Sequence, residues 1–229
     1  RAIDWKASSR LQKLMSKDYQ EQNNQTLLFL LDGSMRMRHQ SADSALSHLD
    51  AVLNAMLALA MVALKQGDKV GFVSFSSVED KVFAPQKGVQ TISQLLAQSA
   101  NLQASHQMPD YMAAAKIALS VQKKRGWIIL LTSTRSEDMD ELLEAVGLLR
   151  ARHLVVVATL YEDELAQRLE KLPINAESAR TYQAICDHTL RQKQLQSRLR
   201  GLANVITLHC TPEQLAHQLM QQYWTLKKR

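Results

Sequence analysis

Two kinds of segment alternate along the chain. Short continuous apolar runs occur at Thr26–Leu31, Val70–Phe75, Trp127–Leu131, Leu154–Leu160 and Val205–Leu208. Rich in Val, Ile, Leu and Phe and too short for helices, they read as strands covered on both faces by helices. Longer segments with helical spacing lie between them. Ser44–Lys65 stops at Gln66-Gly67-Asp68, with the glycine just past the helix end. Asp110–Lys124 carries Met112, Ala115, Ile117, Ala118 and Val121 on one side and closes at Gly126. Ser136–Arg152 has acids at its start and arginines at its end, the order that suits a helix dipole. Thr211-Pro212-Glu213 supplies an N-cap and a proline at the first helical position, opening a helix expected to reach Leu226. Ala176–Arg200 and Ile3–Gln20 are also helical in pattern.

Strand and helix in regular alternation predict an α/β fold: a doubly wound, mainly parallel sheet with helices on both faces. The pattern divides the chain into an N-terminal helical extension, 1–24, and one domain, 25–229, with a helical insertion at about 162–201. Ligands of such sheets bind beyond the carboxyl ends of the strands, here just after Leu31, Phe75, Leu131 and Leu160.

Composition narrows the picture. With 229 residues, 46% hydrophobic and 22% charged, the chain can build its own core. The apolar stretch Ala51–Leu64 is shorter than the roughly 20 residues of a membrane span and reads as a buried helix. No signal peptide is visible, which suggests a cytoplasmic protein, at the inner face of a membrane if the natural chain carries an anchor. Cys186 and Cys210 are far apart and outside any metal-type spacing, so reduced thiols are expected, although their pairing stays open.

The net charge of +6 is unevenly placed: residues 1–38 carry +3, residues 39–179 carry −3 and residues 180–229 carry +6. A basic end suits an anionic lipid, a nucleic acid or an acidic protein. Nucleic acid is disfavoured, because the C-terminal cations are scattered along a helix with few aromatics and no RNP, zinc-finger or helix-turn-helix signature. The chain also lacks HExxH, a GxSxG elbow, GxGxxG and a Walker A loop.

The loop after the first strand reads Asp32-Gly33-Ser34-Met35-Arg36, followed by a long helix and then Gln-Gly-Asp-Lys-Val-Gly-Phe-Val-Ser-Phe. This arrangement is similar to the von Willebrand factor A domain. The opening Ile3-Asp4-Trp5-Lys6-Ala7-Ser8-Ser9-Arg10 with Lys13-Leu14, and the ending Thr211-Pro212-Glu213-Gln214-Leu215 with Gln222-Tyr223-Trp224, resemble the uncharacterised bacterial family of such domains encoded beside MoxR-type AAA+ ATPases. That resemblance implies a non-catalytic adaptor acting with a MoxR-type ATPase on client proteins.

Metal-binding A domains hold Mg²⁺ on an Asp-x-Ser-x-Ser loop, a distant Thr and a distant Asp. Here Asp32 and Ser34 match, Arg36 replaces the third oxygen, Pro109 takes the place of the Thr beside Asp110, and Ser133 takes the place of the second Asp. Mg²⁺ demands near-octahedral oxygen ligands, so no metal and no other cofactor is expected. Asp32, Ser34 and Ser133 are the degenerate candidates for a metal-dependent adhesion-type module with Mg²⁺, the alternative reading. Asp32, Ser34, Arg36, Arg38, Asp110 and Ser133 are the candidate partner-binding residues, with Arg36 or Arg38 pairing a partner carboxylate. Asp32 could otherwise simply receive backbone N–H groups or Arg36. A phosphotransferase using Asp32 as nucleophile, with Thr132 assisting, is disfavoured because Ser34 stands where a second acid is needed. The chain is therefore read as not an enzyme.

Overall fold

The computed structural model describes residues 2–3, 16–17, 24–40, 46–161 and 175–228. Each expected strand forms. β3 (Thr26–Asp32), β4 (Lys69–Phe75), β6 (Trp127–Thr132), β7 (Leu154–Leu160) and β8 (Val205–Cys210) lie parallel in one sheet, which the edge strand β5 (Val82–Gln86) completes in the order β5-β4-β3-β6-β7-β8. Alternate side chains along β3 leave on opposite faces, as the two-residue period requires: Leu27, Phe29 and Leu31 join one core and Leu28 and Leu30 the other. Strand order reverses between β3 and β6. Crossovers being right-handed, the helices of the two halves cover opposite faces. α1 (His48–Lys65), α2 (Thr91–Ser99) and α6 (Pro212–Lys227) pack on the first face; α3 (Tyr111–Val121), α4 (Met139–Arg150) and α5 (Ala176–Arg200) pack on the second. The sheet is thus doubly wound and mainly parallel.

Caps set the helix boundaries. α1 starts at His48, later than the pattern placed it, because Ser47 Oγ accepts the Asp50 N–H at 3.2 Å and the Asp50 carboxylate accepts the Ser47 N–H at 3.1 Å. It ends where Gly67 takes φ +81°. α1 is long and apolar enough to cross a membrane by length and composition, yet its buried face lies in the core against β3, β4 and α6. α3 is capped by Asp110, whose Oδ1 accepts the Ala113 N–H at 2.7 Å. α6 is fastened at its far end: fully buried Asp68 accepts from Tyr223 Oη at 2.6 Å, Lys227 Nζ at 2.8 Å and the Gln25 N–H at 3.0 Å.

Three features depart from the pattern. β5 (Val82–Gln86) adds an antiparallel edge, and Gly71 admits it: a Cβ there would sit 2.4 Å from the Phe83 carbonyl oxygen. α2 was not signalled either, since its buried side is only Thr91, Leu95 and Ser99. The helix expected over Ile3–Gln20 is corrected at its described residues, where β1 (Ala2–Ile3) and β2 (Ser16–Lys17) pair antiparallel. The remainder of that extension, and residues 162–174 of the helical insertion, lie outside the described residues. Cys186 and Cys210 are both free thiols, and burial pushes Cys210 up to about 11.

Candidate functional site

The carboxyl ends of the parallel strands form a crown, and four loops meet there. Gly33 makes the closest approach. Its N–H donates to the Phe75 carbonyl at 2.9 Å, its own carbonyl accepts the Ser105 N–H at 2.7 Å, and a Cβ would lie 2.5 Å from Ser77 Cβ. Ser105 Oγ donates to the Ser76 carbonyl at 2.6 Å, and Ser76 Oγ accepts the Asp110 N–H at 2.9 Å. Met35 N–H donates to the Gln107 carbonyl at 2.9 Å. From the second face, Gln192 of α5 donates to the Thr134 carbonyl.

A buried polar chain runs beneath the crown. Tyr111 Oη lies 2.9 Å from Thr132 Oγ1, which donates to Asp32 Oδ2 at 2.6 Å, while Asp32 Oδ1 accepts the Ser34 N–H at 2.8 Å. Burial raises the Asp32 pKa above the usual carboxylate range, against the pull of the Thr132 and Ser34 hydrogen bonds and the Arg36 charge. Burial likewise pushes the Tyr111 phenol up. The Arg36 side chain is 4% exposed and pairs with Asp138, itself buried, and with Glu137 at 3.4 Å. Burial lowers the Arg36 pKa. Ser34 Oγ is buried and adds to the pull on Asp32, yet makes no hydrogen bond of good geometry among the described residues.

The expected contact residues divide by exposure. Asp32, Ser34 and Arg36 lie under the crown, because the sheet edge and loops cover them and Asp138 takes the guanidinium. Arg36 pairs with Asp138 in place of Asp32. Arg38 and Asp110 are exposed, Arg38 bonding to His106, and Ser133 is half-buried. Thr132 was paired with Asp32 from sequence only in the disfavoured phosphotransferase reading, whereas Tyr111 and Asp138, which come from other elements, were not assigned to this cluster. The only signal was their position at a strand end or helix start.

The donor set does not fit the Mg²⁺ of metal-binding A domains. The Asp32 carboxylate and Ser34 Oγ supply oxygens, but the third loop position holds a buried guanidinium and Pro109 offers no side-chain oxygen. A hard dication with near-octahedral demands is poorly served there. Among the described residues no group of three His, Cys, Asp or Glu side chains is placed to hold a metal. A cleft of about 640 Å³ opens away from the crown, between β8 and α6, lined by Leu208, Glu213, His217 and a row of glutamines.

Comparison with known proteins gives a consistent picture. Residues 1–193 match the family described as protein of unknown function DUF58. The uncharacterized protein YeaD of Bacillus subtilis (strain 168) is 25% identical over 166 residues, covering 72% of this chain; the match spans 38% of the relative's length. Among solved structures, a conserved hypothetical protein BatB from Bacteroides thetaiotaomicron superposes with a TM-score of 0.53 at 15% identity, covering 89% of this chain and 98% of that one. An aerotolerance-related membrane protein from Bacteroides fragilis NCTC 9343 gives 0.50 at 16%, covering 86% and 96%. The SpRpn10 VWA domain gives 0.50 at 10%, covering 86% and 94%. At these identities the likeness establishes a von Willebrand A-type fold.

Proposed function

The chain belongs to the DUF58 family, and on that premise we propose that it is a non-catalytic protein-interaction domain acting as an adaptor for a MoxR-type AAA+ ATPase and its client proteins. The resemblance of its opening and closing motifs to domains encoded beside such ATPases supports the choice of partner. The crown supports the mode of action. Met35 and Met108 are 47% and 51% exposed, on loops joined by the bond from the Met35 N–H to the Gln107 carbonyl, and Val78 is 66% exposed on the neighbouring loop. Exposed methionines on a rigid platform make an adaptable apolar contact. Arg38 and Asp110 beside them add charge of both signs.

Catalysis by Asp32 is disfavoured on geometry. Both its oxygens already accept hydrogen bonds and it is fully buried, which supports the non-catalytic reading. We place the domain in the cytoplasm, at the inner face of the membrane if the natural chain carries an anchor.

The exposed methionines carry this reading. Met35→Asp with Met108→Asp is expected to abolish co-purification of the AAA+ ATPase from native extract, with the melting temperature unchanged. Recovery of no ATPase by the unaltered protein would overturn the adaptor reading. Ser34 Oγ, buried beside the Asp32 carboxylate, favours a metal-dependent adhesion-type module as the second reading. Titration calorimetry with millimolar Mg²⁺ or Mn²⁺ is expected to show no heat; saturable heat lost in Ser34→Ala would establish that second reading.

A further inference from the structure

α1, α3, α4 and α6 each follow a chain segment that reaches the crown, so all four run from the crown to the opposite pole. Each begins beside an acid (Asp50, Asp110, Asp140 and Glu213) and ends in or just before a cation (Lys65, Lys123, Arg150 and Lys227). Charges that suit one helix dipole are local, but four helices pointing the same way add them into a polarity of the whole molecule.

The pole at the amino ends of the strands is therefore basic. Lys69, Lys123, Lys124, Arg125, Arg152 and Lys228 are all exposed there. Their loops lie in one row, fixed by the Lys69 N–H bonding to the Gln25 carbonyl at 2.8 Å and the Leu154 N–H to the Gly126 carbonyl at 3.0 Å. From β4 to β7 that row spans three inter-strand spacings, about 14 Å. Among the described residues, the carboxylate in the loops entering these strands is Asp68, which is fully buried and occupied by Gln25, Tyr223 and Lys227. At the rim, Trp224 is 40% exposed, one turn from the end of α6, with its ring against Tyr223.

We propose that this pole seats on an anionic lipid surface, holding the domain with its crown turned away from the membrane. A row of loop tips carrying flexible cations matches a planar field of headgroups. An indole beside lysines is the side-chain pairing that settles at a lipid–water boundary. Nucleic acid is less well matched, because base readout uses a helix or ribbon in a groove and single strands use a platform of aromatics, and this pole presents strand-end turns with Trp224 at the rim.

Co-sedimentation with vesicles tests the proposal. The protein is expected to pellet with phosphatidylcholine vesicles that contain phosphatidylglycerol and to stay in solution with phosphatidylcholine alone. Binding should weaken as salt rises from about 0.05 to about 0.3 M. Lys123→Glu, Lys124→Glu and Arg125→Glu together should lower vesicle partition by roughly tenfold or more, with melting temperature and ATPase capture unchanged. Met35→Asp with Met108→Asp should leave partition unaltered, which separates this surface from the crown. Absence of binding at low salt, equal partition of the charge-reversed variant, or tighter binding to a DNA duplex than to the vesicles would each overturn it.

Discussion

Under the crown, Asp32 and Arg36 face the same shortage of water and answer it differently. Asp32 is held by neutral donors, Thr132 and the Ser34 N–H, and its raised pKa means that its charge is disfavoured by the fold. A raised carboxylate contributes least at neutral pH, where ionisation is forced on it. Asp32→Asn keeps an acceptor for the Ser34 N–H and removes that charge, so urea unfolding should change by no more than about 1 kcal/mol. Arg36→Met is expected to cost about 3–5 kcal/mol in the same measurement, because it strands the buried Asp138 carboxylate. The opposite ranking would mean that Asp32 is the anion Arg36 serves. Sequence disclosed the Asp32-x-Ser34-x-Arg36 loop and its departure from a metal set. It did not disclose Asp138 or Tyr111 as neighbours: these contacts join residues up to about a hundred positions apart, and only the closed sheet brings them together.

Elements buried on both sides were the easiest to read. β3, β6 and β7 show near-continuous apolar runs because all but Thr26 and Leu154 are buried, whereas α5, largely exposed, was read with both ends correct from its polar helical pattern. β5 was hidden for the converse reason: its residues alternate between exposed and half-buried, and Pro85 looks like a strand breaker until an edge position explains it. The clue lay in its neighbour. Gly71 stands inside a strand with no turn to make, and the backbone of β5 fills the space a side chain would take. Gly71→Ala is expected to destabilise by about 2–3 kcal/mol. Hydrogen exchange should show β5 amides losing protection first, while those of β7 stay protected. Uniform loss across the sheet would show that β5 is not a separable edge.

For the molecule as a whole, the doubly wound sheet was legible, whereas its electrical polarity was hidden in segment totals that mix crown and pole. Stability should follow its buried imidazoles. His48 and His209 are pushed down to about 4 chiefly by burial, with His39 adding to the effect on His48 and Arg200 to that on His209. Unfolded, each titrates near 6.5. The native state thus binds fewer protons between about 4 and about 6.5; stability is full above about 6.5 and is lost as pH falls through about 4. For fully buried His48 the loss is on the order of 3 kcal/mol. His48→Gln should flatten this acid limb in chemical unfolding at a series of pH values, and an unchanged slope would contradict the neutral, buried ring.

The grip of Gln192 on the Thr134 carbonyl has a mechanical corollary. The sixteen-residue reach of α5 from Ala176 to Gln192 is about 24 Å of rigid rod, and its first turns are largely exposed. Because Ile185 is buried as well, the helix is gripped about two turns apart, and a tilt imposed at the loop after β6 would carry the stretch between the two grips as one piece.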